Sequence, residues 1–247
     1  MDLDKRNVVV TGGAKGVGRA LCLRLAEAGA TTGIIDLDEA AAGATARDVE
    51  AAGGRAIVVA GDITTRGSAH ALFDRAAAGL GQIHGLVNGA GIYPRLPILE
   101  IDDDAWNANF AVNLRGLYHM CVAAVLHMRG HGGGRIVNIS ALAGLKPHPG
   151  NLHYACMKAG VISLTKSFGL EFARENLLVN GVAPGWIATE QAKAAGTISR
   201  PETLAEMPIG RPAEPEEIAD LIIFMLSDHC RYLVGETIVA SGGTYIA

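Results

Sequence analysis

The sequence predicts a doubly wound α/β fold, a parallel sheet with helices on both faces, on three observations. Short β-branched runs alternate with longer helical patterns almost to the end of the chain. The first of these runs, such as Val8-Val9-Val10, are apolar without alternation, as strands buried on both faces are. A glycine-rich turn, Thr11-Gly12-Gly13-Ala14-Lys15-Gly16-Val17-Gly18, joins the first run to the first helical pattern. The 247 residues are read as a single domain, since α/β units of this size are common.

In order along the chain, strands are expected at residues 7–11, 31–36, 55–61, 83–88, 135–140 and 177–183, with a last short one at 237–240. Helices are expected between them near 16–29, 38–52, 65–79, 103–130 and 153–174, with another at 214–227. Asp102 is placed to cap the helix that runs through Trp106 and Phe110. Pro215 stands in the first turn of the last helix, ahead of Ile218, Leu221, Ile222 and Met225. The helices at 103–130 and 153–174 are apolar around most of their circumference, which calls for burial on two sides. One sheet face covers one side, so the other is expected against a second subunit. Residues 185–213 hold no convincing element and are long enough to be a mobile flap, a substrate lid, rather than a plain connection. No internal repeat or domain linker interrupts the pattern.

Composition excludes several classes. The 32 glycines have no three-residue period and come with only 9 prolines, so the chain is neither collagen-like nor of low complexity. A net charge of −4 has the wrong sign for a protein built to release counterions from nucleic acid. The longest apolar runs, Met120 to Leu126 and Leu221 to Leu226, have seven and six residues, far below the ~18 of a membrane span. No apolar leader core precedes Val8, so a cytoplasmic location is the expectation. Cys22, Cys121, Cys156 and Cys230 are scattered without a C-x-x-C pair. Free buried thiols are therefore expected, with no disulfide framework and no metal.

The glycine turn carries the first chemistry, with Gly12, Lys15, Gly16, Val17 and Gly18 as candidates. Small residues there let the backbone approach a pyrophosphate, and the amides of the helix N-terminus meet its charge. Read alone, the pattern also serves as a tight turn with close helix packing. Asp36, followed by Leu37, ends the second strand, where a carboxylate accepts hydrogen bonds from the adenosine ribose hydroxyls and repels a 2′-phosphate. That favours NAD over NADP, although Lys15 is a basic residue close enough to soften the preference. The other reading of Asp36 is a cap for the helix that follows.

In Thr11-Gly12-x3-Gly16-x-Gly18, Asp62-Ile63, Asn88-Gly89-Ala90-Gly91, Asn113, Tyr154-x3-Lys158 and Pro184-Gly185, the chain resembles the short-chain dehydrogenase/reductases over essentially its whole length. The resemblance implies a Rossmann-type sheet, a nicotinamide dinucleotide and a dimeric or tetrameric assembly. It implies that Asp62 and Ile63 flank the adenine, and that Asn88, Ala90 and Gly91 line the cofactor's path. Pro184, Gly185, Ile187 and Thr189 would meet the nicotinamide and its carboxamide. Gly89 departs from the family's usual N-N-A-G, which has a second asparagine there.

Tyr154 and Lys158 are four residues apart and share a helix face. A free phenol has a pKa of about 10, too high for a base at neutral pH, and a nearby ammonium with a positive nicotinamide ring would favour the phenolate. Tyr154 would then take the proton of an alcohol as hydride leaves, or return it to a ketone. The resemblance adds that Lys158 holds the nicotinamide ribose and that Asn113 relays protons through water. It also implies a serine thirteen residues before the tyrosine, to hold the substrate oxygen. That position is Ala141. Ser140, one residue away, is expected to face the other side of the strand. Losing one such donor typically costs about 10² to 10³ in rate. Asn151, His148 or His153 are alternative donors, with His153 otherwise a surface or interface residue. Trp186 would shape the pocket beside the nicotinamide, Arg95 could meet an acidic substrate group or lie solvated, and Cys156 is read as packing.

Two functions follow from these residues. The first is an NAD-dependent oxidoreductase interconverting a small secondary alcohol and a ketone, with Ala141 and Trp186 at the substrate. The second is an NAD-binding sensor or scaffold whose catalysis is weak, as Ala141 permits.

Overall fold

Val8 and Val10 point to one face of strand β1 (Asn7–Thr11) and Val9 to the other, and each face meets its own layer of helices. The structure is a computed structural model that describes residues 2–246. Six further strands join β1: β2 (Thr31–Asp36), β3 (Arg55–Ala60), β4 (Gly85–Asn88), β5 (Gly134–Ile139), β6 (Leu177–Pro184) and β7 (Thr237–Ala240). All pair in parallel, in the order β3-β2-β1-β4-β5-β6-β7.

On one face lie α1 (Gly16–Glu27), α2 (Glu39–Ala51) and α9 (Pro215–Leu226), which pack Leu21, Leu25, Val49, Ile218 and Ile222 against Val8, Val10, Ile34 and Val182. On the other lie α3 (Arg66–Leu80), α5 (Leu117–Arg129) and α6 (Leu152–Phe172), whose Phe73, Met120, Met128 and Val161 meet Val9, Ile35, Leu86 and Val179. Near the ends of β4 and β5 the core holds a polar pair. The Asn88 side chain donates to Asn138 Oδ1 at 2.9 Å, and Asn138 Nδ2 donates to the Thr165 hydroxyl at 3.0 Å. Since β1 has β2 on one side and β4 on the other, the chain winds outward in both directions and leaves a crevice beyond the ends of β1 and β4.

Most expected elements stand within one or two residues of their predicted ends. The fourth strand is shorter, beginning at Gly85 and not at 83. The helix expected at 103–130 has three parts: α4 (Asp103–Phe110), a π-helical stretch (Ala111–Gly116) and α5. Asp102 caps α4 by accepting from the Ala105 amide at 2.8 Å. Residues 185–213 are not without structure, because α7 (Glu190–Ala194) and α8 (Pro201–Ala205) lie within them. Both are single turns with short apolar content, too brief for periodicity to reveal. Cys156 is exposed rather than packed, whereas Cys22, Cys121 and Cys230 are buried. His153 is fully buried rather than superficial, with neither ring nitrogen hydrogen-bonded. Among the described residues no helix is long and apolar enough to cross a membrane, and no cluster of His, Cys, Asp and Glu could hold a metal.

Candidate active site

The crevice is walled by the glycine turn. Gly12 has φ +71°, and a Cβ there would lie 2.7 Å from the Ala90 nitrogen, so only glycine lets the turn after β1 meet the loop after β4. Thr11 closes that junction, its hydroxyl accepting from the amides of Gly89 and Ala90. A side chain at Gly89 would crowd the Thr11 carbonyl, which gives a packing reason for the missing asparagine. Gly16 and the start of α1, with Val17 and Gly18, open beneath Thr189, whose methyl would be 3.3 Å from a Cβ on Gly16.

Asp36 faces this turn, and its two oxygens accept from Ala14 and Asp38 amides at 3.0 Å each. It does not cap α2, because Asp38 does so through the Ala41 amide. Lys15 is exposed and paired with Asp38 at 2.8 Å, so its charge is already partnered beside Asp36. Leu37 is exposed next to it. Asp62 is exposed at the end of β3, where its carboxylate accepts from both the amide and the hydroxyl of Thr64, while the Ile63 side chain is buried in the core. The Asn88 side chain points to Asn138 in the core and not along the crevice, leaving Ala90 and Gly91 to line it.

At the far end Tyr154, Lys158 and Asn113 converge. Lys158 is buried, its Nζ 5.6 Å from the Tyr154 ring centroid and donating to the Ile139 carbonyl at 2.8 Å. Asn113 is fully buried in the π-helical stretch. It donates to the Ile92 carbonyl at 2.8 Å and accepts from the Ile92 amide at 3.2 Å. Gly91 lies between them: a Cβ there would be 2.7 Å from Asn113 Oδ1 and 3.8 Å from Lys158 Nζ. Glycine at 12 and at 91 thus keeps the backbone bare on both sides of the Ala90 loop, the close approach that an extended dinucleotide requires.

The family whose sequence model matches is described as Enoyl-(Acyl carrier protein) reductase, over residues 12–245. The chain is 39% identical over 240 residues to cis-4-hydroxycyclohexanecarboxylate dehydrogenase of Sinomonas cyclohexanicum, covering 97% of this chain and 96% of that one. It is 33% identical over 246 residues to the 3-oxoacyl-(acyl-carrier-protein) reductase FabG of Thermotoga maritima, with both chains covered completely. A solved short-chain type dehydrogenase/reductase from Mycobacterium marinum superposes with a TM-score of 0.94 at 28% identity, covering 100% of this chain and 98% of that one. The chain belongs to the short-chain dehydrogenase/reductase family.

As a short-chain dehydrogenase/reductase, the protein is an oxidoreductase of a family that uses nicotinamide cofactors. Without a dinucleotide, burial opposes the acidic phenol that the ammonium and a positive nicotinamide ring together are expected to favour. Burial pushes the Tyr154 phenol above its ordinary value, and Tyr93 adds to the push. The ammonium lies 5.6 Å from the ring centroid and donates to the Ile139 carbonyl, and burial lowers its own pKa to about 8.

Ala141, where the resemblance implies a serine, stands at the start of the 142–144 turn. Ser140 is buried, its hydroxyl donating to the Lys158 carbonyl at 2.8 Å, so it anchors α6 and faces away from the site. Asn151 Oδ1 is occupied by the His148 amide, and the His148 ring lies 6.3 Å from Trp186. Pro184 ends β6 and Gly185 bonds back to Ala240. Ile187 then bridges to Ala213, and Thr189 caps α7 through the Ala192 amide. Arg95 is exposed in the loop after β4.

Sequence reasoning missed two residues. Tyr93 lies edge-on to Tyr154, with ring centroids 6.2 Å apart, and its hydroxyl bonds the side-chain carbonyl of Gln191 on α7. The only signal was an aromatic residue two places after Gly91.

Proposed function

We propose that the protein is an NAD-dependent oxidoreductase that interconverts a small secondary alcohol and a ketone, with Tyr154 as the acid/base, Lys158 as its electrostatic partner and Asn113 in a proton relay. The observation that carries this reading is that Asn113 and Lys158 meet at the bare backbone of Gly91 while the Lys158 ammonium also lies 5.6 Å from the centre of the Tyr154 ring. In oxidation Tyr154 accepts the hydroxyl proton as the carbinol carbon gives up hydride, and in reduction it returns the proton to the new alkoxide. A bound dinucleotide supplies the hydride acceptor or donor and, when oxidised, a positive ring close to the phenol. Lys158 is mainly cationic at neutral pH even with its pKa at about 8, and so favours the phenolate once the site is filled.

The cofactor contacts in this reading are Gly12, Lys15, Gly16, Val17 and Gly18 at the pyrophosphate, Asp36 and Leu37 at the ribose, and Asp62 and Ile63 at the adenine. Ala90 and Gly91 with Tyr154 and Lys158 hold the ribose and path of the nicotinamide, and Pro184, Gly185, Ile187 and Thr189 hold its ring. Asp36 supports NAD over NADP, since a 2′-phosphate beside its carboxylate is repelled. Trp186 and Ala141 border the substrate, and residues 185–213 act as its lid. The protein works in the cytoplasm as a homo-oligomer, a tetramer or dimer.

The relative named for a hydroxycyclohexanecarboxylate supports an alcohol as substrate. A binding protein with weak catalysis is the second reading, favoured by Ala141 and by the upward push on the Tyr154 phenol. The separating test follows nicotinamide absorbance with simple secondary alcohols, cis-4-hydroxycyclohexanecarboxylate and a 3-oxoacyl thioester, in wild type and Tyr154→Phe. Turnover lost in the variant supports the enzyme. Tight dinucleotide binding without turnover of any compound supports the second reading, and tighter binding of NADP than NAD overturns the role of Asp36.

A further inference from the structure

The site as built is one hydrogen-bond donor short. An oxygen that passes between hydroxyl and carbonyl at Tyr154 gains charge in the transition state, and a second donor aimed at it stabilises that charge. Ala141 has none to offer, Ser140 spends its hydroxyl on the Lys158 carbonyl, Lys158 donates to Ile139, and the Asn113 amide is held by Ile92 and Asn109. The ring packed against Tyr154 carries a further hydroxyl. It belongs to Tyr93, edge-on at 6.2 Å between centroids and half exposed at the mouth of the site.

We propose that the Tyr93 hydroxyl is the second donor to the reacting oxygen of the substrate, in the position that Ala141 cannot fill. The inference rests on the oxidoreductase reading above. Tyr93 lies in the loop that follows Gly91, whose neighbour Ile92 is fixed on both backbone groups by Asn113. The ring is thus carried by the same buried asparagine that stands beside Lys158. Its hydroxyl is held by Gln191 on α7, which ties the loop after β4 to the lid segment across the site. Rotation of the Gln191 amide about its last torsion, a broad and roughly two-fold one, presents the NH₂ group to the Tyr93 oxygen. The phenol proton is then free to turn to the substrate. Burial raises the Tyr93 phenol, so it stays protonated at neutral pH and acts as a donor, not as a second base. Two phenols thereby take different tasks: Tyr154 exchanges a proton and Tyr93 holds the oxygen.

The test is a double-mutant cycle on the best compound of the panel, with wild type, Tyr93→Phe, Ala141→Ser, the double variant and Tyr154→Phe as a control. Removal of the Tyr93 hydroxyl is expected to lower kcat by about 10² to 10³, with dinucleotide affinity within about threefold of wild type. Adding the serine is expected to help the Tyr93→Phe protein at least about tenfold more than it helps wild type, because the two hydroxyls serve one oxygen. A residue that only packs at the mouth gives no such rescue. The proposal is overturned, with the oxidoreductase reading intact, if Tyr154→Phe is inactive while Tyr93→Phe keeps its kcat, or if the two effects simply multiply. A wild type that turns over nothing, or a fully active Tyr154→Phe, overturns the oxidoreductase reading and this inference with it.

Discussion

At Lys158 burial and charge oppose each other. The side chain is 4% exposed and its only hydrogen bond is to a neutral carbonyl, so the ammonium loses hydration without gaining a carboxylate. Its folded pKa of about 8 lies below the ordinary 10.5. Between those values the unfolded chain holds the proton and the folded one has released it, so raising the pH draws the equilibrium toward the folded state. Below pH 8 both states are protonated and the full penalty applies. Compared with Lys158→Met, the wild type is expected to gain stability as pH rises from 8 to 10.5, by up to roughly 3 kcal/mol. Urea denaturation of both proteins at several pH values checks this, and parallel pH dependences refute it. Tyr154→Phe separates chemistry from binding: turnover is expected to fall at least about 10²-fold, while dinucleotide titration by fluorescence stays close to wild type. The spacing of these two residues was legible in the sequence, but their electrostatics were not. Tyr154-x3-Lys158 says that two groups share a face, while desolvation depends on everything packed around that face.

The π-helical stretch between α4 and α5 shows the same limit at the scale of an element. Apolar periodicity predicts one helix from 103 to 130, because a single wide turn leaves hydrophobic residues on both sides of it unchanged in kind. The wide turn nevertheless buries both Asn113 and Gly116, and such turns often stand at functional sites. Gly116 is tightly enclosed, since a Cβ there would lie 2.9 Å from Ile63 Cγ1 and 3.1 Å from the Ala111 carbonyl. Gly116→Ala is therefore expected to lose about 1 to 3 kcal/mol of stability by overpacking, and, on the proposed placement of Ile63 at the adenine, to weaken dinucleotide binding by displacing it. Chemical denaturation and a binding titration measure the two effects. An unchanged denaturation midpoint would show that the turn relaxes freely.

For the whole molecule, the outer faces of α5 and α6 raise a question that one subunit does not answer. Leu126 is 59% and Leu170 81% exposed, and Tyr118, Val122, Val125, Phe168 and Phe172 line a groove between the two helices. These are the helices whose all-round apolar character predicts a second subunit. Leu126→Glu combined with Leu170→Glu is expected to shift the assembly to a smaller species in analytical ultracentrifugation, because two carboxylates would be buried without partners. A wild type that sediments as a monomer would remove the premise. The apolar excess was legible in the sequence, but which residues stay uncovered required the sheet to be in place.

The sequence by itself determined the order of strands and helices along the chain, the glycine turn, the acid at the end of β2 and the paired Tyr154 and Lys158, because periodicity and short spacings are local properties of a chain. Only the tertiary structure decided that the Ser140 hydroxyl is spent on the Lys158 carbonyl, that Asp38 and not Asp36 caps α2, and that Tyr93, 61 residues ahead of Tyr154 in the chain, lies against its ring. Those outcomes depend on which distant segments the sheet brings together and on how much water their packing removes. Neither quantity is carried by any stretch of sequence taken alone.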